Sequence, residues 1–92
     1  MATEVTNNES ERRFEAHVDG EYAGKAEYVL EGDTIVFTHT EVEMEGRGVG
    51  GELTRQALDE VRRRGGMKVE VRCPFVQGWI DRHPEYADLL AA

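Results

Sequence analysis

The stretch Glu45-Gly46-Arg47-Gly48-Val49-Gly50-Gly51 stands directly before a long amphipathic helical pattern, and its chemistry suits an anion. Glycine is a poor residue to start a helix with. Gly50 and Gly51 fall in the first turn, where each costs roughly 1 kcal/mol relative to alanine. A chain that accepts this cost needs backbone without a Cβ, so that something can approach the amides. The first amides of a helix have no intrahelical partner, and the helix dipole adds partial positive charge beside them. Phosphate is the usual guest of such a site, and Arg47 adds a full charge with a planar set of donors. The competing reading is a flexible loop that happens to precede a helix.

Other chemistries fit less well. Gly46, Gly48 and Gly51 satisfy G-x-G-x-x-G, and Glu70 falls near the ribose-binding acid of a dinucleotide fold. Dinucleotide glycines follow a strand at once, whereas several loop residues intervene here, and the chain is too short for a doubly wound sheet. No Lys-Ser or Lys-Thr pair follows the last glycine, so a Walker loop is absent. His17, His39 and His83 are scattered and lack ligand spacing with Cys73, so no metal site is expected.

The 92 residues suffice for one small domain, with 39% hydrophobic and 33% charged residues. A net charge of −8 argues against nucleic-acid or anionic-membrane binding, which needs a positive surface. It leaves room for a small anionic ligand at one local site. No apolar run reaches the length of a membrane span, no signal pattern opens the chain, and the lone Cys73 cannot form an intramolecular disulfide. A cytoplasmic protein is expected.

The elements that must carry the loop follow from periodicity. Residues 1–10, polar and aperiodic, read as a flexible N-terminal tail, and residues 11–92 as a single domain. Phe14, Ala16 and Val18 alternate with Arg13, Glu15 and His17, and Asp19-Gly20 signals a tight hairpin. Tyr22, Gly24, Ala26, Tyr28 and Leu30 fall on one face of the returning strand, and Glu31-Gly32-Asp33 marks another turn. Thr34 to Thr38 is a β-branched and aromatic third strand. Leu53, Ala57, Leu58 and Val61 then recur at helical spacing up to Arg62-Arg63-Arg64, which read as a solvated helix end, and Gly65-Gly66 stops the helix. Met67, Val69, Val71 and Cys73 alternate in a fourth strand, parallel to the third because a helix connects them. Pro74 opens a second helix with Phe75, Val76, Trp79, Ile80 and His83 on one side, Phe75 and Trp79 reading as core. The order is β-β-β-α-β-α, an α+β class with a mostly antiparallel sheet and one parallel pair.

The glycine loop is similar to the pyrophosphate loop of the GNAT superfamily of acyl-CoA-dependent N-acetyltransferases, whose pattern is Gln or Arg, two residues, Gly, one residue, then Gly or Ala. Gly48 and Gly50 match, and Glu45 occupies the first position. Together with Phe37-Thr38-His39-Thr40-Glu41-Val42, Cys73-Pro74-Phe75-Val76 and Arg82-His83-Pro84-Glu85-Tyr86, it resembles the small stand-alone GNAT-like proteins, N-acetyltransferase domain-containing, over about Phe14 to Leu90. That resemblance implies a minimal GNAT-like fold whose parallel strands splay apart.

It also implies acetyl-CoA or CoA as the ligand and an amine acceptor, a small molecule or a protein. The pantetheine arm would pair with the strand edge at Thr40, Glu41 and Val42, while Arg47, Gly48, Val49, Gly50 and Gly51 would receive the pyrophosphate. Val42 reads equally as a strand-end core residue. Cys73 would face the thioester and could accept the acetyl group as a thiolate, or serve as inert packing on the apolar face. His39 or Glu41 would act as general base. Tyr86 would protonate the leaving thiolate or anchor the C-terminal turn. Arg82 and His83 would meet the nucleotide phosphates, or Arg82 would be a solvated helix residue. The expected function is N-acetyl transfer, with a non-catalytic CoA-binding or protein-interaction module as the alternative.

Overall fold

The computed structural model describes residues 3–90. Five strands form one sheet in the order β1-β2-β3-β4-β5. β1 (Thr3–Asn8), β2 (Arg13–Val18), β3 (Glu21–Glu31) and β4 (Thr34–Val42) make an antiparallel meander, and β5 (Lys68–Val71) runs parallel to β4 after the crossover helix α1 (Val49–Arg64). A second helix, α2 (Pro74–Arg82), and a 3₁₀ turn (Pro84–Leu89) close the described chain. The β2–β3 and β3–β4 hairpin turns use positive φ, Asp19 at 50° with Gly20 at 85°, and Gly32 at 62°, the geometry that matches strand twist.

The expected tail is corrected in part: Thr3–Asn8 is an edge strand paired along its length with β2, and Gln56 of α1 donates to the Thr3 carbonyl at 3.1 Å. Its pairing, not a hydrophobic alternation, orders it.

One hydrophobic cluster joins Phe14, Ala16 and Val18 of β2, Ala26 and Tyr28 of β3, Ile35 and Phe37 of β4 and Val69 of β5 to the buried faces of both helices. α1 contributes Val49, Leu53, Ala57, Leu58 and Val61, and α2 contributes Val76, Trp79 and Ile80. The opposite face of the sheet carries ion pairs: Arg13 with Glu15, Lys25 with Glu27, and Arg72 with Glu70.

Two bulges break the strict alternation. At Ala16/His17 the register skips Ala23, so Ala23 is buried while Tyr22 turns outward beside His17, 41% exposed. The expectation that Tyr22 shares one face with Gly24, Ala26 and Tyr28 is therefore corrected. Leu30, paired with Ile35 at the far end of β3, is likewise exposed. The second bulge, at Glu27/Tyr28, skips Thr38 on β4, and it decides the orientation of the candidate site.

Candidate active site

β4 and β5 pair only from Thr34↔Lys68 to Phe37↔Val71, and the Arg72 amide makes the last rung to the Phe37 carbonyl at 2.9 Å. From Thr38 onward β4 keeps β3 on one side and, among the described residues, has no strand on the other. The parallel pair parts here because β5 is four residues long and Pro74, which has no N–H, starts α2 immediately beyond Cys73. Across the mouth, Thr40 Oγ1 lies 3.4 Å from Cys73 Sγ. Cys73 is 4% exposed, belongs to the main cluster, and forms the N-cap position of α2 without capping it through its thiol.

The skipped Thr38 changes which side chains face this mouth. Unbroken alternation from Ile35 and Phe37 would turn His39 and Glu41 toward the core. With one extra residue in β4, Thr40 and Val42 face inward and His39 and Glu41 face out. His39 and Glu41 do come together, Nε2 to Oε2 at 3.1 Å, with side chains 55% and 46% exposed. They do not share a face with Cys73. Lys25 Nζ stands 3.7 Å from Glu41 and 2.9 Å from Glu27. Its ammonium, hydrogen-bonded to Glu27, holds that carboxyl below the usual range, and the Lys25 pKa is raised in return.

The loop after β4 leads into α1 through two left-handed glycines, Gly46 (φ 79°) and Gly48 (φ 69°), each with open space where a Cβ would stand. Gly48 is the N-cap, and among the described residues no side chain caps the helix. The first intrahelical rung runs from the Glu52 amide to the Gly48 carbonyl at 3.1 Å, so the amides of Val49, Gly50 and Gly51 precede the ladder. They border a depression of about 290 Å³, whose lining combines the apolar Val42, Met44, Val49 and Phe75 with Glu45 and the loop and helix glycines. Arg47 is exposed in this loop and does not line the depression.

The glycines of the first turn also have a packing cause, one that spacing along the sequence does not reveal. A Cβ on Gly50 would stand 2.5 Å from Phe75 Cζ, and one on Gly51 would stand 3.4 Å from Trp79 Nε1. Gly50 therefore makes room for an aromatic ring from α2. Phe75, expected in the core, is 42% exposed and forms a wall of the depression.

A larger depression, about 360 Å³, lies between β1 and α1. Its charged lining is already spent on internal pairs, Arg55 with Glu52 and Asp59, and Arg63 with Glu60. It brings none of the candidate residues together.

The C-terminal segment is clasped to α1 instead of reaching the mouth. Tyr86 donates to Asp59 at 2.7 Å, and this bond raises the phenol pKa. Arg62, expected as part of a solvated helix end, pairs with Asp88 at 2.9 Å and lies over the Tyr86 ring. His83 stacks on Trp79 at 3.9 Å and donates from Nδ1 to the Trp79 carbonyl at 2.7 Å. Arg82 is exposed. Among the described residues, no group of three or more His, Cys, Asp or Glu could hold a metal, and no helix is long and apolar enough to cross a membrane.

An antiparallel meander with one parallel pair that parts beside a glycine-bearing helix start defines an α+β protein with an opening between two strands. The model of the family described as GCN5-related N-acetyl-transferase matches residues 13–89, and the chain belongs to that family. The fold is similar to the solution structure of a GCN5-like N-acetyltransferase candidate from Staphylococcus aureus, at TM-score 0.71 and 20% identity over 97% of this chain and 88% of that one. It is also similar to a crystal structure of ribosomal-protein-alanine N-acetyltransferase from Brucella melitensis biovar Abortus 2308, at TM-score 0.55 and 23% identity. That likeness covers 87% of this chain and 61% of the longer Brucella chain. No functionally curated protein matches the sequence.

Proposed function

We propose that this protein binds acetyl-CoA and transfers its acetyl group to an amine. One observation carries the reading: the unpaired edge of β4 leads, through the six-residue loop 43–48, to a helix start that no side chain of the described residues caps. A ligand with a peptide-like arm and an anionic tail meets both features in order. Thr40, Glu41 and Val42 would pair with the arm, and Gly48, Val49, Gly50 and Gly51 would take the pyrophosphate through backbone amides, with Arg47 in support from the same loop. The open space at Gly46 and Gly48 fits such a guest. When bound, acetyl-CoA supplies an acyl group activated as a thioester, so the amine nitrogen gains the acetyl carbon as the CoA sulfur leaves and takes a proton.

The amine approaches from the uncovered sheet face, where His39 and Glu41 stand. His39 donates from Nε2 to Glu41, which leaves Nδ1 with its lone pair to remove the ammonium proton. Glu41 orients the ring. A second reading rests on the contact between Thr40 and Cys73: the thiol, held at the mouth, receives the acetyl group before the amine does.

Free-thiol release from acetyl-CoA with a panel of primary amines tests the proposal. We expect turnover that falls about 100-fold or more in His39→Ala. Cys73→Ala separates the two routes, since direct transfer survives it and a thiol relay does not. CoA binding with no thiol release for any amine would overturn transfer and leave a CoA-binding module.

A further inference from the structure

We infer that Glu45 sets the affinity of this site by opposing its anionic ligand, so that binding strengthens as salt is added. The inference rests on the proposed acetyl-CoA reading. Among the described residues, Glu45 is the single charged one lining the depression beside the uncapped amides, and it is a carboxylate. Glu43 is exposed two residues earlier and Glu41 two before that, on a chain whose net charge is −8. A phosphate seated on the amides of Val49 to Gly51 therefore gains from the helix dipole and from the one positive charge of Arg47, and loses to the three carboxylates of the same segment and to the overall negative charge.

These terms differ in range. The amide contacts are short hydrogen bonds, which salt barely screens. Repulsion from Glu45 and from the overall charge acts through solvent and fades over a Debye length of about 8 Å at physiological ionic strength. Salt thus removes the opposing part first. A site built from lysines and arginines behaves in the reverse way, losing phosphate affinity as salt rises. The carboxylate consequently selects against charge: a neutral pantetheine arm is indifferent to Glu45, and CoA with its phosphates is not.

The test is calorimetric titration of CoA, and separately of pantetheine, into the full chain and into Glu45→Gln at 50 mM and 500 mM salt. Thermal melts at each salt concentration keep folding effects apart. We expect wild-type affinity for CoA to rise about 3-fold or more with salt, Glu45→Gln to bind CoA about 3-fold tighter at 50 mM with a flatter salt response, and pantetheine to show neither effect. Glu45→Arg should extend the gain. CoA binding that weakens with salt, or that Glu45→Gln leaves unchanged, overturns this inference and leaves the proposed function standing. CoA binding to none of the three proteins at either salt concentration overturns both.

Discussion

The two halves of β4 obey different rules. Its first half, Thr34 to Phe37, is held by β3 on one side and β5 on the other, and its inward residues Ile35 and Phe37 join the main cluster. Its second half, Thr38 to Val42, begins with a bulge and keeps one ladder only. In the first half, backbone and side chains are both satisfied by the protein itself. In the second, a backbone edge stays open, a hydroxyl and a thiol touch where the strands part, and the helix beyond the next loop starts with amides outside its ladder. The lesson is that hydrophobic pattern builds the closed half, while an interrupted pattern leaves the open half available for chemistry.

That division can be attacked from the closed side first. Leu53, fully buried under the sheet, should cost about 2–5 kcal/mol of stability when changed to alanine, read by denaturant unfolding, with CoA affinity of the remaining folded protein unchanged. A matching loss of affinity would mean that the two halves are coupled. Gly50→Ala comes next. The new methyl meets the Phe75 ring, so we expect about 1–3 kcal/mol of destabilisation, partly recovered by adding Phe75→Leu. Full stability with lost CoA binding would instead assign Gly50 to the ligand.

Gly48→Ala should be milder. Nothing crowds its Cβ position, so only left-handed backbone strain remains, about 1–2 kcal/mol. The smallest effect belongs to the C-terminal clasp, where Arg62→Ala should lower the melting temperature slightly. The Asp88 carboxyl is held below its usual range by the hydrogen bond from Arg62, and Glu52 by those from Arg55 and Gln56. A carboxyl with a depressed folded pKa stabilises the fold above its unfolded value, about 3.9 for Asp and 4.3 for Glu, and that contribution is lost as pH falls through the folded pKa. Wild-type melting temperature should therefore drop below about pH 4, and Arg62→Ala should flatten part of that drop.

Much of the closed half was legible from sequence, and the reasons are physical. Phe14, Ala16, Val18 and the row from Leu53 to Val61 repeat with the periods of a strand and a helix, and burial follows period. Asp19-Gly20 and Gly65 announce their turns. β1 was not legible because Thr-Glu-Val-Thr-Asn-Asn has one apolar residue, and its order comes from pairing. The two bulges were not legible because one unpaired residue, Ala23 or Thr38, leaves no mark in the residue pattern yet reverses the faces on its two sides, which put Tyr22, His39 and Glu41 outward. At the candidate site, the glycine loop and its helix were readable as a unit. The cause of Gly50 was not, since Phe75 lies 25 positions away in sequence and meets it only after both helices pack.

The most direct test of the central claim is to follow backbone amide resonances while CoA is added. We expect the largest shifts at Thr40 to Val42 and at Gly48 to Glu52, the open edge and the helix start beyond the loop that follows it. Shifts centred on the groove between β1 and α1, around Val5, Arg55 and Arg63, or no shifts at millimolar CoA, would contradict it.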